Sequence, residues 1–462
     1  MMNVKRKAIS LDNLFDNDKL NKKLLDKYIW ILALPSLLEL MLATLFGMVD
    51  MIMVGNVSAA SLAAVGISNQ PMMLILAVFQ ALNIGTTVLV ARFIGTGDRR
   101  SSGLVLRQTL ILTAILGVLT SLIGFLFARR VVVFMGAKPE VIPLATSYFG
   151  IVALGSIFIA ITMGITAALR GAGDTVSPMK YNILSNLINV FGNYILIYGK
   201  LGFPAMGVTG AALSTTISRG LGMMMAFYAV HRQGSIFSNF PLLRLKVDVG
   251  LVKRMLRIGL PSGLEQVALR TGQIEFARTA ASLGTMVFAA HQIALNVVGL
   301  SFAPGQAFGI AATTLVGQSL GAGRPDVAER CGFETRRLGM IIAFSIALLF
   351  FFFGRQIADI YINDAEVTRM AAKALKIVAI MQPLQSTQFI LAGALRGAGD
   401  TRWPLLSTMI GIWCIRVVFA KVFVALGFGL IGLWTAQLLD QLFRSIFIYK
   451  RYTSDRWKTI RV

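Results

Sequence analysis

Residues 110 to 128 read LILTAILGVLTSLIGFLFA, a run without a single charge, and residues 340 to 354 read MIIAFSIALLFFFFG. A helix needs about 20 mostly apolar residues to cross a bilayer, and runs of this kind recur along all 462 residues, of which 56% are apolar and only 14% charged. A soluble domain cannot cover that much apolar surface. Backbone amides facing lipid must be satisfied within their own segment, so each run is read as a helix and the fold class as an all-α integral membrane protein.

The formal net charge is +23. Its Lys and Arg are spread over short loops and are not gathered in one domain with interleaved aromatics, so nucleic acid is not expected as a partner. Cys331 and Cys414 are too few and too separated for a disulfide framework or a Cys-rich metal site. Residues 1 to 27 carry charges throughout, which does not fit a cleavable signal peptide.

The octapeptide ALRGAGDT stands at 168 to 175 and again at 394 to 401, an offset of 226. The same offset carries Leu34-Pro35-Ser36 to Leu260-Pro261-Ser262, Glu39 to Glu265, Gly95 to Gly321, Arg129 to Arg355 and Pro178 to Pro404. Only near the end does the register slip, GVTG (207 to 210) matching GLIG (429 to 432) as if FPAM (203 to 206) were missing from the second copy. The chain is two homologous halves. In the first, spans are expected near 28–53, 61–91, 104–128, 140–168, 180–200 and 207–230, which gives twelve in all. An even number per half makes two six-helix lobes related by a pseudo-two-fold axis along the membrane normal.

Most Lys and Arg fall on one side of this layout, and only Arg129, Arg130, Lys138, Lys200 and Arg355 lie in loops on the other. The positive-inside rule then makes 1–27 a cytoplasmic tail, 28–230 the N-lobe, 231–255 a cytoplasmic linker, 256–450 the C-lobe and 451–462 a second cytoplasmic tail. Both octapeptides fall at cytoplasmic helix ends. There Arg170 and Arg396 suit the helix dipole, Gly171, Gly173, Gly397 and Gly399 turn the chain, and Asp174-Thr175 and Asp400-Thr401 cap the next helix.

Several stretches together resemble the MATE (multidrug and toxic compound extrusion) family, close to its bacterial NorM and DinF branches: FGMVDMIMVG (46 to 55), AAHQIALN (289 to 296), GQSLGAG (317 to 323), the two ALRGAG loops and GVTGAA (207 to 212). The resemblance implies a secondary active efflux antiporter, not an enzyme. Such a carrier exports amphipathic or organic cationic compounds in exchange for H+ or Na+ by alternating access. No P-loop for nucleotide hydrolysis is present, in keeping with that. It further implies a multi-pass protein of the plasma (inner) membrane, functional as a monomer, its partners small molecules and the lipid bilayer, with no cofactor beyond the coupling ion. A flippase for lipid-linked precursors, or an exporter of an anionic metabolite, shares the architecture and stands as the alternative.

Ion coupling needs an ionisable or cation-coordinating group away from bulk water, and intramembrane charges are functional candidates by default. Asp50 is the strongest, because it interrupts an apolar segment and its repeat counterpart is Phe276. The resemblance makes the same choice, placing the N-lobe cation or proton site at the Asp of the VD pair. Asn189 and Asn193, four apart, share a helix face, and their amide oxygens, with the hydroxyl of Thr215, could complete a Na+ site at Asp50. Many family members carry Asp where this chain has Asn193. Ordinary helix-helix hydrogen bonding is the plainer reading of all three.

The second sodium site of some relatives is absent here, its carboxylate positions being Leu269 and Gln385. Glu39 and Glu265, at one depth in both halves, suggest shared packing or gating. The second half also holds Arg270, Glu275, Arg278, Arg416, Lys421, Asp440 and Arg444. Glu275 and Arg278 (i, i+3) and Asp440 and Arg444 (i, i+4) are spaced for same-face ion pairs, which leaves Arg270 and Arg416 unpaired and a cavity partly cationic. His291 is expected to be a hydrogen-bonded packing residue rather than a proton relay.

Overall fold

The computed structural model describes residues 15–16, 19–238, 240–241, 246–362 and 364–460. Apart from a two-residue pairing of Phe15–Asp16 with Lys19–Leu20, the regular structure among them is helical. The first half contains α1 (Lys22–Gly55), α2 (Ala59–Gly95), α3 (Arg99–Leu126), the short α4 (Ala128–Phe134), α5 (Ile142–Leu154), α6 (Ser156–Gly171), α7 (Val176–Tyr198) and α8 (Gly207–His231). The second contains α9 (Val249–Ala281), α10 (Thr285–Gly321), α11 (Pro325–Asp359), α12 (Ala365–Gly397), α13 (Arg402–Met409), a π-helical segment (Ile410–Val417), α14 (Val418–Ala425) and α15 (Gly429–Thr453). The expected fourth span is α5 and α6 with a 43° bend between them, and the eleventh is α13, the π segment and α14 in series. Counted this way the described helices make twelve spans, six in each half.

Length and apolarity alone qualify six helices to cross a membrane, or seven with the bent pair. Those that fall short are α7, α8, α9, α12 and α15, where polar and charged side chains interrupt the apolar run. These are also the helices that carry most of the buried polar network described below.

The chain divides into two compact units. Among the described residues, unit 1 comprises those of 38–259, and unit 2 those of 15–37 and 260–460. The divisions fall just after Pro35 and just before Pro261, the repeat-related prolines inside α1 and α9. In unit 1 an apolar core gathers Val54, Ala64, Met72, Phe149, Val152, Ile197 and Ala212. Unit 2 has two such cores, one around Leu25, Ile29, Phe308, Leu315 and Trp457 and one around Phe276, Val298, Leu375 and Trp434.

Tight turns end α2, α6, α10 and α12 in the same way. The amides of Asp98, Asp174, Arg324 and Asp400 reach back to the carbonyls of Phe93, Leu169, Ser319 and Leu395 at 2.8–2.9 Å, the six-to-one bond of a Schellman motif. Each needs a left-handed residue just before it, and in the octapeptides this is Gly173 (φ 89) and Gly399 (φ 88). Gly171 has a different constraint, since a Cβ there would meet the Thr87 carbonyl at 2.6 Å. Asp174 accepts from the Ser177 amide at 2.9 Å, capping α7 as expected. The connection between the halves is held at its far end by Gln108, whose amide donates to the Lys246 carbonyl at 2.8 Å and accepts from the Asp248 amide at 3.1 Å.

Candidate functional site

In unit 1 the polar residues of α1 meet several from α7, and the two side-chain pairs follow one register. Glu39 accepts from Asn182, 143 residues on, at 2.6 Å. Asp50 accepts from Asn193, again 143 residues on, at 2.8 Å. Tyr198 donates to the Met53 carbonyl at 2.9 Å. A constant separation over about three turns means that the two helices run parallel, with one stripe of α7 facing one stripe of α1. The second half keeps the register at its lower level only. Thr408 donates to Glu265, 143 residues earlier, at 3.2 Å, whereas the counterparts of Asp50 and Asn193 are Phe276 and Phe419.

The four residues expected to form the site come together. With the Asn189 amide turned so that both its polar atoms are satisfied, its nitrogen donates to Asp50 Oδ2 at 2.9 Å and Oδ1 at 3.1 Å, while its oxygen accepts from the Thr215 amide at 3.1 Å and hydroxyl at 3.3 Å. Asn189 and Asn193 are buried and Asp50 and Thr215 half-buried. Ser214 fixes the α7–α8 contact by donating to the Asn189 carbonyl at 2.8 Å. The result is one carboxylate held by two amides and, through one of them, a hydroxyl. Among the described residues no group of three or more His, Cys, Asp or Glu is gathered anywhere, so any cation here would rest on a single negative charge and neutral oxygens.

Sequence reasoning missed Arg219. It stands one helical turn beyond Thr215 on α8 and interacts electrostatically with Asp50. Its Nη1 is enclosed and makes no hydrogen bond among the described residues. The signal was present: Arg219 is a charge inside an expected span, of the kind that singled out Asp50.

The octapeptide arginines stand in the last turns of α6 and α12, as expected, and each also meets a buried carboxylate. Arg170 donates to the buried Glu39 at 2.9 Å, and Arg396 donates to both oxygens of Glu265 at 2.7 and 2.9 Å. Both turn inward because a buried carboxylate offers a stronger partner than the helix dipole. Asp400 further accepts from Arg451 at 2.7 Å. Burial raises the Asp400 carboxyl above its ordinary value, and Arg451 opposes that shift.

Unit 2 corrects the expected pairings. Asp440 pairs with Arg416 rather than with its i+4 neighbour, and Arg444 donates to Thr408 at 2.8 Å. The widened turn of the π segment aims Arg416 at Asp440 and lays it over the Phe276 ring, 5.7 Å from the centroid. Arg396, Glu265, Thr408, Arg444, Asp440 and Arg416 thus form one buried network, in which Arg444 is electrostatically coupled to the other four charges. Glu275 does meet Arg278, at 3.5 Å, but its shorter contact is Lys421 at 2.7 Å. Arg278 and Lys421 are largely exposed, against the expectation of interior positions, and Arg270 reaches only Gln273, at 3.4 Å. His291 is a packing residue among Phe276, Phe288 and Trp434, but neither ring nitrogen is hydrogen-bonded among the described residues.

A duplicated membrane-helical chain with a carboxylate-amide cluster in one half and a guanidinium-rich network in the other has the build of a small-molecule transporter. Residues 35–195 and 261–422 each match the MatE family model, the two matches beginning 226 residues apart. The chain therefore belongs to the MATE family, whose members are transporters and not enzymes. It is 32% identical over 428 residues, 92% of each chain, to the "Probable multidrug resistance protein NorM" of Thermotoga maritima. It is 30% identical over 394 residues to multidrug resistance protein PmpM of Pseudomonas aeruginosa, covering 84% of this chain and 82% of that one. The fold matches a MATE transporter of the MOP superfamily solved in an outward-facing conformation, with a TM-score of 0.87, 25% identity and coverage of 94% and 97%. It also matches, at a TM-score of 0.86, 25% identity and the same coverage, a Pyrococcus furiosus transporter described as having a binding pocket of reverse polarity.

Proposed function

We propose that the protein is an antiporter that exports amphipathic, mainly cationic, compounds and is driven by protons entering the Asp50 site. The observation that carries this reading is the convergence of Asn189, Asn193 and, through Asn189, Thr215 on one carboxylate that the second half lacks. A carboxylate accepts both amide N–H groups. Once protonated it carries a donor of its own, and those donations weaken. Proton uptake would then loosen α1 from α7 at the level of Asp50 while Glu39–Asn182 and Met53–Tyr198 still hold above and below. Such uptake drives transport only if inward- and outward-open states bind the proton unequally.

The amide geometry favours the proton over Na+. Asn193 and Asn189 present N–H donors, not oxygens, to the single carboxylate, so Na+ would have to displace them, whereas a proton needs only the carboxylate oxygen. In this reading residues 28–230 and 256–450 act as N- and C-lobes, both termini are cytoplasmic in the plasma (inner) membrane, and the carrier works as a monomer with no cofactor beyond its coupling ion. Efflux from proteoliposomes should follow an imposed pH gradient at fixed sodium. A sodium gradient at fixed pH should leave it unchanged, and transport driven by sodium alone would reverse the assignment.

One observation favours a second reading. The buried network of unit 2 holds three guanidinium groups for two carboxylates, a surplus that suits anionic amphipaths such as lipid-linked phosphates. Competition of such anions with a cationic dye for efflux separates the two cargo classes.

A further inference from the structure

At the end of unit 2 opposite the octapeptide turn, α11 and α12 flank a groove of about 1050 Å³. Its walls carry Arg355 from α11 and Arg369, Lys373 and Lys376 from α12, with Glu366 the one acid among the lining residues. The α12 positions 366, 369, 373 and 376 follow the three- and four-residue steps of a single helix face. All four cations are exposed, and none forms an ion pair among the described residues. Lys376 lies over the Phe351 ring at 5.7 Å, and Phe351 and Phe352 form the apolar wall.

Depth makes this arrangement unusual. The 33 residues of α12 span about 50 Å at 1.5 Å per residue, some 20 Å more than a hydrocarbon core of about 30 Å. With α12 centred on that core, Arg369 falls at headgroup level, Lys373 near the boundary, and Lys376 roughly 7 Å inside, within reach of the headgroups by extending its side chain. Cations at such depth ordinarily have a partner. Here the groove is flanked by the exposed apolar side chains of Leu348, Leu349, Phe353 and Ile380, so the missing partner belongs to something that also has an apolar body.

We infer that this groove binds an anionic phospholipid, its phosphodiester held by Arg369, Lys373 and Lys376 with Arg355 opposite, and an acyl chain lying along Phe351, Phe352 and Leu348. A free phosphate would satisfy the cations but would leave the aromatic wall and the sub-surface Lys376 without purpose, and a zwitterionic lipid would bring its own cation against four others. The site is independent of the transport reading, which concerns α1, α7 and α8 of unit 1.

The test uses the full-length protein and phosphatidylglycerol as probe, with phosphatidylcholine and glycerol 3-phosphate as comparisons, by native mass spectrometry from mixed micelles. The wild type should retain phosphatidylglycerol at least roughly tenfold more than phosphatidylcholine, and the R369Q/K373Q/K376Q variant should lose most of that preference. A photoactivatable phosphatidylglycerol with its label in the acyl chain should mark the 348–352 peptide of the unsubstituted protein, which keeps the test valid if the variant folds poorly. Equal retention by wild type and variant, labelling spread evenly over the helices, or competition by glycerol 3-phosphate as strong as that by the lipid would each overturn the assignment.

Discussion

Replacing Glu265 by Gln removes a charge that almost nothing but protein surrounds. The carboxylate is 1% exposed. It accepts two bonds from Arg396, at 2.7 and 2.9 Å, and one from Thr408 at 3.2 Å, and Arg444 is electrostatically coupled to it. Removing one partner of a buried ion pair costs about 3–5 kcal/mol. The glutamine keeps an acceptor for Thr408, and the Arg396 side chain is 18% exposed, so the lower end, about 3 kcal/mol, is expected. For a unit of about 230 residues, at roughly 2–4 °C per kcal/mol, that is a fall in thermal midpoint of about 6–12 °C. Fluorescence-detected unfolding in detergent at neutral pH measures it. The matching change Glu39→Gln should cost less, since Glu39 is more exposed at 8% and Arg170 makes a single bond to it, at 2.9 Å. The double variant E265Q/R396Q should recover part of the loss, because neither charge is then stranded. A shift below about 2 °C for E265Q, or a double variant as impaired as the sum of its parts, would refute the view that the octapeptide arginines serve these buried carboxylates.

Two further outcomes follow from single sites. Asp98 accepts from the Ser101 amide at 2.9 Å. Its carboxyl is held below the ordinary carboxylate value by hydrogen bonds from the Ser101 side chain and backbone, so its cap is fully present above about pH 4 and is lost as pH falls through the lowered value. Asp98→Ala should cost about 0.5–1 kcal/mol in denaturation at pH 7, and the gap to wild type should close in acid. Arg219→Gln should let Na+ stabilise the protein against heat at roughly tenfold lower concentration than in the wild type, the expected size if the guanidinium contributes about 1.4 kcal/mol of repulsion. An unchanged sodium response would show that Arg219 does not guard the site.

The membrane class, the repeat and the twelve spans were legible because lipid permits few alternatives and because a 226-residue offset maps one half onto the other. Asp50 with Asn189, Asn193 and Thr215 was legible for a related reason: isolated polar groups in apolar helices must find each other. Their pairing was written in the sequence too, since Glu39 to Asn182, Asp50 to Asn193 and Glu265 to Thr408 share one separation, but a parallel register between non-consecutive helices shows only when the helices are placed. Local spacing misled in unit 2. Asp440 and Arg444 are spaced for an ion pair, yet the π segment brings Arg416 to Asp440, and an extra residue per turn leaves no mark on apolar periodicity. The bend within the fourth span, between Leu154 and Ser156, escaped because a break at Gly155 does not interrupt the apolar run.

In the proposed mechanism Asp50 is the carboxylate through which ion movement drives export. Asp50→Asn preserves the shape and an acceptor for Asn193 while removing the titrating group. In proteoliposomes with an inward-directed pH gradient and a fluorescent cationic substrate, the variant should lose gradient-driven efflux while keeping wild-type thermal stability within a few degrees and still binding the dye. Efflux that still responds to the gradient in this folded, dye-binding variant would mean that Asp50 does not couple ion movement to export.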